Sequence, residues 1–454
     1  GVRLVGSEMC IRDRNLAMKE IKKISSGILS RQYKILKIGV RSGRKLLKSK
    51  PGSVKEAISD VLESEVHRIV NELGVMKGSL MKVGQFLALY SDSIISPELQ
   101  KVLSQLENKS MYLRWDEIKK NIPEEFFDKL IIEEKPIAAA SLGQVHRATF
   151  DGVDIVLKIQ YKGVKKAINS DIRILKYILK LTDFVPKDID LKPFFEEVKE
   201  MLKQETDYIQ EAKNTKKFKE LIKDSKDFYI PEVYEDFSNS TIITSEYISG
   251  VSLREVDNLD ISQEDRNRLG MALFNLFFTE IYEWGLMQTD PNAANYLLMQ
   301  DEGSWKVCLI DFGATKEISP YLQGMYKKLI GCIVSHDFDG FVDTMFEYKY
   351  LSEDKRDSYD IDLLKNYVAI VSDPFRDEEY AWEKSEIPDR VLSMAPKVMK
   401  EISISSPPKE IVFIDRKIGG VFFLLKILKA KFNPNDVVDQ WFKDDLGVHN
   451  ETNE

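Results

Sequence analysis

The spacing of apolar residues divides the chain into a helical start, a short sheet-forming part and a long helical remainder. From Val54 to about residue 105, apolar residues recur every three or four positions, which predicts helices. Residues 144–150 and 153–160 have strand composition instead, and the Asp151-Gly152 pair between them is typical of a two-residue hairpin turn. The pattern therefore predicts a small antiparallel sheet after the first helical segment.

The remainder of the chain is predicted to be mainly helical. The further elements that we expect are helices over 164–182 and 191–222, strands near 229–237 and 240–247, a break at Gly250, and short strands around 296–299 and 306–310. A β-rich part followed by a helical part is the order of elements in a two-lobed phosphotransfer enzyme. The motifs of such an enzyme are therefore the first to look for.

Composition and charge narrow the class of protein. The 454 residues are 43% hydrophobic and 31% charged, which indicates a folded protein and excludes wholesale disorder. Within the net charge of −8, residues 15–60 hold 12 Lys and Arg against 3 acidic residues, so the rest of the chain is acidic. An acidic body lacks the clustered cations that nucleic-acid phosphates require, and we expect no nucleic-acid partner. The basic arm, residues 15–53, is either an amphipathic helix for an anionic membrane or a solvated segment.

Three further features exclude other classes. The three Cys are far apart and only four His are present, so we predict neither a disulfide framework nor a Cys/His metal site. The apolar runs at 273–287 and 421–432 are interrupted by charges, and we expect no membrane-spanning helix. The first 14 residues, GVRLVGSEMCIRDR, lack an initiating Met and are predicted to be a non-native leader.

Three motifs occur in the order that phosphoryl transfer requires. Lys158 lies near the end of the second hairpin strand, in VLKIQ, as does the kinase lysine that holds the nucleotide phosphates. Asp290 and Asn295 of TDPNAAN have the spacing of a kinase catalytic loop, which presents a carboxylate to the acceptor and an amide oxygen to Mg²⁺. Asp311 opens an Asp-Phe-Gly tripeptide after the strand VCLI. Each motif alone is a weak signal, but the ordered set is specific.

Departures from the kinase pattern argue against an ordinary protein kinase. Gln288 and Thr289 stand where kinases have His-Arg, and no Ala-Pro-Glu follows the Asp-Phe-Gly. In place of a glycine-rich loop, the chain has Ala138-Ala139-Ala140-Ser141. Because alanine does not adopt positive φ as glycine does, we predict a stiffer loop over the phosphates. The residues leave the start of a plain helix open as the alternative.

Taken together, these motifs resemble the UbiB family of atypical kinases, which is implicated in ubiquinone biosynthesis. The resemblance runs from about residue 54 to about residue 440 and rests on KVGQ at 82–85, AAAS, Glu205-Thr206-Asp207 with Glu211 and Asn214, TDPNAAN and DFG. The form TDPN and the C-terminal IDRKIGGVFFLLKILKAK are similar to the mitochondrial branch of that family. The resemblance implies an α+β, two-lobed protein-kinase-like fold with an N-terminal helical extension that carries KxGQ.

The resemblance also implies roles for the acidic helix. Glu205 and Asp207 match the ExD pair and would meet the KxGQ helix, while Glu211 would pair with Lys158. On a continuous helix Asp207 and Glu211 would share one face, whereas Glu205 would lie about two-thirds of a turn from Glu211. One of Glu205 and Glu211 can therefore face the lysine, but not both. A plain acidic surface helix is the alternative.

These motifs together predict the residues of the site and the segments of the chain. We assign Asp290, Lys158 and Glu211 to catalysis, and Asn295 and Asp311 to metal binding. The nucleotide-binding residues are Ala138, Ala139, Ala140, Ser141, Lys158, Glu246, Tyr247 and Ile248, and the lid residues are Lys82, Gly84, Gln85, Glu205 and Asp207. The predicted segments are the leader 1–14, the basic arm 15–53, the helical KxGQ extension 54–110, an N-lobe with inserted helices over 111–250 and a helical C-lobe over 251–454.

The resemblance implies ATP or ADP and Mg²⁺ as cofactors, and ATPase or phosphotransfer activity that supports ubiquinone biosynthesis at a membrane. The expected partners are an anionic lipid surface, contacted peripherally, and other ubiquinone-biosynthesis proteins. The expected location is the cytoplasmic face of a bacterial membrane or the matrix side of the mitochondrial inner membrane. Two alternatives stay open, namely a nucleotide-switched pseudokinase scaffold and a small-molecule kinase.

Overall fold

The structure is a computed structural model, which describes residues 19–21, 111–140, 142–181, 192–376, 379–403 and 411–442. The leader, nearly all of the basic arm and the KxGQ extension with Lys82, Gly84 and Gln85 lie outside the described residues, as does Ser141. The chain divides into two compact units. The first unit falls within residues 1–220 and 231–249, and the second within 221–230 and 250–454.

The described strands are short outside one central hairpin. They are β1 (Lys19–Ile21), β2 (Met111–Leu113), β3 (Ile131–Ile132), β4 (Ala138–Ala139), β5 (Gly143–Phe150), β6 (Val153–Gln160), β7 (Phe228–Tyr229), β8 (Ile242–Glu246), β9 (Val251–Ser252), β10 (Leu286–Gln288), β11 (Tyr296–Asp301), β12 (Ser304–Leu309), β13 (Thr315–Glu317), β14 (Tyr380–Ala381) and β15 (Lys431–Phe432).

The described α-helices occupy much of both units. They are α1 (Trp115–Ile118), α2 (Glu124–Phe127), α3 (Val164–Leu181), α4 (Lys192–Glu205), α5 (Tyr208–Leu221), α6 (Gln263–Phe278), α7 (Pro320–Val334), α8 (Phe338–Glu347), α9 (Ile361–Val371), α10 (Ile387–Ser403), α11 (Ile411–Leu428) and α12 (Asn435–Phe442). A π-helical turn over Thr279–Glu283 continues α6. No helix of the described residues is long and apolar enough to cross a membrane.

The first unit contains an antiparallel sheet with the strand order β3-β5-β6-β8, to which β4 adds by pairing with β5. The predicted hairpin is confirmed as β5 and β6. Asp151 and Gly152 have φ angles of 48° and 82°, the left-handed values that a two-residue hairpin turn needs at both positions. The turn therefore fixes the register in which Val145 lies opposite Lys158.

The two faces of this sheet differ in burial because side chains alternate along a strand. One face belongs to the core of the unit, with Ala148, Ile155, Leu157 and Ile159 almost completely buried. The other face is half-buried and carries Val145, Arg147, Val156, Lys158 and Ser245. The register thus places the amine of Lys158 on the face that the core leaves accessible.

A hydrogen-bonded polar pair lies within the core face. Gln144 exchanges two hydrogen bonds with the backbone of Leu113 in β2, at 2.8 and 3.1 Å, and also contacts His146 Nε2 at 2.9 Å. His146 Nδ1 lies 2.8 Å from the carbonyl oxygen of Glu133. Because a carbonyl only accepts, Nδ1 carries the proton and Nε2 accepts from the Gln144 amide. The imidazole is therefore neutral, and its burial lowers its pKa.

Stability should fall as the pH is lowered through the range of this histidine. The pKa of His146 lies below the ordinary value of 6.5 in the folded protein, so the unfolded chain takes up the proton first. The urea midpoint should therefore decrease between about pH 7.5 and pH 5.5. The variant His146→Gln, which cannot titrate, should show a flatter dependence over the same range. An identical slope in both proteins would mean that His146 does not contribute.

The helix predicted over 191–222 is two helices, α4 and α5. Asp207 precedes α5 as its N-cap, since its carbonyl accepts from the Glu211 amide at 2.9 Å and its carboxylate from the Gln210 amide at 3.2 Å. The prediction that Asp207 lies on one helical face with Glu211 is therefore wrong. A short acidic side chain that bonds to nearby amides favours a cap over the helix interior.

The strand predicted near 229–237 is wrong beyond Tyr229. Pro231 cannot donate a ladder hydrogen bond, and residues Glu235–Phe237 form a 3₁₀ turn. The short strand β7 pairs with β12 in parallel and so belongs to the second unit. The strands predicted around 296–299 and 306–310 are confirmed as the hairpin of β11 and β12.

Candidate active site

A short ladder in the second unit holds the catalytic loop beside the Asp-Phe-Gly segment. Strand β10 ends at Gln288, two residues before Asp290, and pairs antiparallel with β13, where Gln288 lies opposite Thr315. The backbone amide and the hydroxyl of Thr289 both donate to the carbonyl of Ala314, at 2.7 and 3.0 Å. The chain segments that carry the two predicted motifs are therefore tied together on one side.

A hairpin closes the other side. Asn295 immediately precedes β11, and Asp311 follows β12 after one intervening residue, Ile310. Tyr296 lies opposite Leu309 in the hairpin, and the Ile310 amide donates to the carbonyl of Asn295 at 3.1 Å. Because the two strands run antiparallel, Asn295 and Asp311 meet at its open end although 16 positions separate them in the sequence.

Side-chain hydrogen bonds then orient the polar groups. The Asn295 amide nitrogen donates to the Asp290 carboxylate at 3.2 Å and to its carbonyl at 3.3 Å. Gln288 donates to the carbonyl oxygens of Asp290, at 2.8 Å, and Asp311, at 3.3 Å. The Asp311 carboxylate accepts from the Gly313 amide at 3.0 Å. The structure therefore brings the three predicted polar residues of this unit together.

An arginine that sequence reasoning missed lies at the same site. Arg416 of α11 forms an ion pair with the carboxylate of Asp290, and both side chains are largely buried. The two residues are 126 positions apart in the sequence, so no local pattern connects them. Helix α11 thus contributes a cation directly to the predicted catalytic residue.

The neighbouring residue of α11 completes a second, deeper ion pair. Lys417 lies 2.8 Å from the carboxylate of Glu280, with 3% and 1% of the two side chains exposed. Its amine also donates to the carbonyl of Gln288 at 2.8 Å. Burial disfavours the ammonium, but Glu280 and Tyr296 outweigh that effect and raise the pKa of Lys417. The lysine therefore stays charged at neutral pH directly behind the catalytic loop.

Close packing joins α11 to the catalytic loop as well. A Cβ atom added to Gly420 would lie 2.0 Å from Cγ of Pro291, which is far inside van der Waals contact. No side chain fits at Gly420 without displacing the proline. This glycine is therefore needed for close approach rather than for an unusual backbone angle.

In the first unit, the predicted lysine and glutamate form an ion pair. Lys158 Nζ lies 2.7 Å from the carboxylate of Glu211, and 22% and 3% of the two side chains are exposed. The ring of Tyr208 lies 5.3 Å below the same amine, within the range of a cation–π contact. Of the two glutamates considered, Glu211 is the one that meets the lysine. Glu205 ends α4 and is half-buried, and Asp207 is exposed at the N-cap of α5.

The alanine run begins as a strand. Ala138 lies opposite Val145 and Ala139 opposite Gln144, and the Ala140 amide donates to the carbonyl of Gly143 at 3.0 Å. The alternative of a plain helix start is therefore wrong for residues 138–140. Residues 138 and 139 therefore form a short antiparallel pair with β5.

The predicted nucleotide-binding segment 246–248 follows β8. The Tyr247 amide donates to the carbonyl of Asp154 at 3.1 Å, and the guanidinium of Arg147 lies 4.4 Å from the Tyr247 ring. Arg147 also pairs with the carboxylate of Asp154. Glu246 accepts from the Glu232 amide at 3.2 Å. Backbone and side-chain contacts thus hold Glu246 and Tyr247 at the edge of the sheet, and Ile248 follows directly.

A family model matches the part of the chain that carries Lys158, Asp290 and Asp311. Residues 98–345 match the ABC1 atypical kinase-like domain, which is more than half of the chain. The chain belongs to the ABC1 atypical kinase-like family. Membership of the atypical kinases, which the motifs predicted through their resemblance to UbiB proteins, is confirmed.

Relatives within the ABC1 family include mitochondrial atypical kinases. The chain is 32% identical to atypical kinase COQ8B, mitochondrial, from Danio rerio, over 82% of this chain and 60% of that protein. It is 31% identical to the COQ8B of Rattus norvegicus, over 83% and 71% of the two chains, and 30% identical to atypical kinase COQ8, mitochondrial, from Saccharomyces cerevisiae, over 80% and 73%. The chain therefore spans about three-fifths of the zebrafish protein and somewhat more of the others.

A solved structure shares the fold. The complex of Rv3197 with erythromycin from Mycobacterium tuberculosis matches with a TM-score of 0.54 and 22% identity, over 86% of this chain and 98% of that one. Together with the ABC1 match, this confirms the prediction of an α+β, two-lobed kinase-like fold.

Proposed function

We propose that this ABC1-family protein binds ATP or ADP with Mg²⁺ and hydrolyses ATP or transfers its terminal phosphoryl group. The observation that carries the proposal is the meeting of Asp290, Asn295 and Asp311 in the second unit. Phosphoryl transfer uses one carboxylate that acts on the acceptor, together with an amide and a second carboxylate that bind the metal.

The residues present fit a magnesium ion. Mg²⁺ prefers oxygen ligands and takes one or two of them from carboxylates, with phosphates and water completing its shell. Asp311 offers a carboxylate at the open end of the hairpin. The side-chain nitrogen of Asn295 faces Asp290, so the side-chain oxygen of Asn295 faces away from Asp290. When bound, the ion would neutralise charge on the nucleotide phosphates.

The protein residues have separate tasks in this proposal. Lys158, held by Glu211, supplies a fixed cation for the phosphates on the accessible face of the sheet. Residues 138–141 cover the phosphates, and residues 246–248 hold the base. Asp290 receives the proton of the attacking hydroxyl or water and orients that group. Lys82, Gly84, Gln85, Glu205 and Asp207 are proposed as the lid that restricts the acceptor.

We further propose that this activity supports ubiquinone biosynthesis at a membrane. The named relatives are mitochondrial atypical kinases, which favours the matrix side of the mitochondrial inner membrane over a bacterial membrane. The basic arm supplies the cations for peripheral contact with anionic lipid, at roughly 1 kcal/mol for each residue near the surface. Other ubiquinone-biosynthesis proteins are the proposed protein partners.

Phosphate release from Mg·ATP, measured with and without vesicles, tests both parts. Cardiolipin-containing vesicles should accelerate hydrolysis, and added salt should reverse the acceleration because lipid attraction is screened. Vesicles of neutral lipid and samples with EDTA serve as controls. If Mg·ATP binds without any release of phosphate, the proposed hydrolysis is wrong, and phosphoryl transfer to an acceptor or a nucleotide-switched scaffold takes its place. If salt does not change the acceleration, the basic arm does not cause it.

A further inference from the structure

Helix α11 contacts the catalytic loop at three points. Arg416 pairs with the Asp290 side chain, Lys417 donates to the Gln288 carbonyl at 2.8 Å, and Gly420 leaves room for Pro291. The three contacts cover the backbone before Asp290, its side chain and the residue after it. A rigid helix therefore fixes the loop on both sides of the predicted catalytic carboxylate.

The Asp290 carboxylate has both of its oxygens engaged. Arg416 contacts Oδ1, and the Asn295 amide donates to Oδ2 at 3.2 Å. Asp290 is 8% exposed, so water screens the ion pair only weakly. Without the guanidinium, the side chain would keep one of these two anchors and could rotate about its Cα–Cβ bond.

Arg416 also offsets negative charge around Asp290. The backbone carbonyls of Asp290 and Asp311 both accept from the Gln288 side chain, so two acidic residues belong to one site, and a nucleotide would add several negative charges. A carboxylate that is repelled by its neighbours turns away from them, whereas one that is paired with a fixed cation keeps its orientation. The guanidinium is planar and cannot lose its proton in a protein, which suits it to hold a carboxylate permanently.

We infer that Arg416 is a positioning residue for catalysis, acting through Asp290. It holds the carboxylate in the orientation that receives the acceptor proton and does not itself contact the nucleotide. The inference rests on the proposed phosphoryl-transfer function, in which Asp290 acts on the acceptor. It adds a residue of α11, outside the matched ABC1 segment of residues 98–345, to the catalytic machinery.

A double-mutant cycle tests the inference in the full-length protein. Arg416→Met should lower single-turnover hydrolysis by about 10- to 100-fold, the usual cost of a misplaced catalytic group. Mg·ATP affinity should change by less than about 2-fold, and Arg416→Lys should retain intermediate activity. In an Asp290→Asn background, Arg416→Met should cause no further loss, because its effect passes through the carboxylate. An equal loss in both backgrounds would overturn the inference.

A second readout separates this inference from the proposed function. Amide hydrogen exchange over residues 288–295 should be faster in Arg416→Met than in the wild type. Arg356→Met is the matched control, because Arg356 pairs with Asp343 and Glu353 on the exposed surface of the same unit. It should change neither exchange over 288–295 nor turnover. If the wild type hydrolyses no ATP, the hydrolysis part of the proposed function fails, and exchange alone decides on the role of Arg416. Unchanged exchange in Arg416→Met would then overturn it.

Discussion

Replacement of Asp290 by Asn is expected to lower the rate of ATP hydrolysis by about 10²- to 10⁴-fold. Asparagine has nearly the same shape and keeps one side-chain oxygen that can accept from Arg416, while Asn295 can still donate to the backbone carbonyl of residue 290, so the loop should keep its conformation. It cannot take up the acceptor proton, which is the step that the proposal assigns to the carboxylate. The affinity for Mg·ATP should stay within about 3-fold, because Asp311 and Lys158 are unchanged. Phosphate release and equilibrium nucleotide titration measure the two quantities.

A matched control variant is Asp301→Asn, because Asp301 lies at the turn of the hairpin of β11 and β12, at the opposite end from Asn295 and Asp311. Asp301 ends β11 and pairs with Lys306 at 2.8 Å on the partly exposed side of the hairpin. Asp301→Asn removes the same charge without touching the predicted site, and it should leave hydrolysis unchanged. Full activity of Asp290→Asn would contradict the role of Asp290. If that variant loses turnover but still supports ubiquinone biosynthesis in cells, the scaffold alternative is correct.

Local signals predicted the elements that depend on neighbouring residues. The hairpin of β5 and β6 follows from the Asp151-Gly152 turn and from strand composition, and the structure has the predicted bounds to within one residue. Two short strands were also predicted around 296–299 and 306–310, and the structure pairs them as the hairpin of β11 and β12. Because Asn295 precedes β11 and Asp311 follows β12, this pairing brings both residues to the open end of the hairpin.

A capping residue and a proline mark two element boundaries that apolar periodicity alone does not indicate. Asp207 is a short acidic residue three positions before the Gln210 amide that it accepts from, which is the spacing of an N-cap. Pro231 stands within the predicted strand at 229–237 and should have ended it. At both positions the cap or the proline, and not the apolar periodicity, sets the boundary of the element.

Other features of the site could not be predicted from local patterns. Arg416 and Lys417 meet Asp290 and Gln288 across 126 and 129 residues, and nothing near either end indicates the partner. Charged residues interrupt the apolar runs of the sequence, and Glu280 is one of these residues. A single charged residue within an apolar run predicts a buried partner of opposite sign, but tertiary structure alone identifies it.

The buried pair of Lys417 and Glu280 is expected to have the largest effect on stability. Lys417→Met leaves the Glu280 carboxylate buried without its cation, and breaking a buried ion pair in this way typically costs about 3–5 kcal/mol. It also leaves the Gln288 carbonyl without the lysine donor next to the catalytic loop. The midpoint of thermal unfolding, measured by circular dichroism, should therefore fall well below that of the wild type.

Removing both charges should recover most of this loss. In Lys417→Met/Glu280→Gln no buried charge is left unpaired, and the glutamine oxygen can still accept from the Gln288 amide, which now donates to Glu280 at 3.1 Å. Glu280→Gln alone should be destabilising, since it leaves the Lys417 ammonium buried without its carboxylate. The double variant is thus expected to be more stable than either single variant. Simple addition of the two losses would show instead that the residues contribute independently, and that the ion pair does not hold α11 against the catalytic loop.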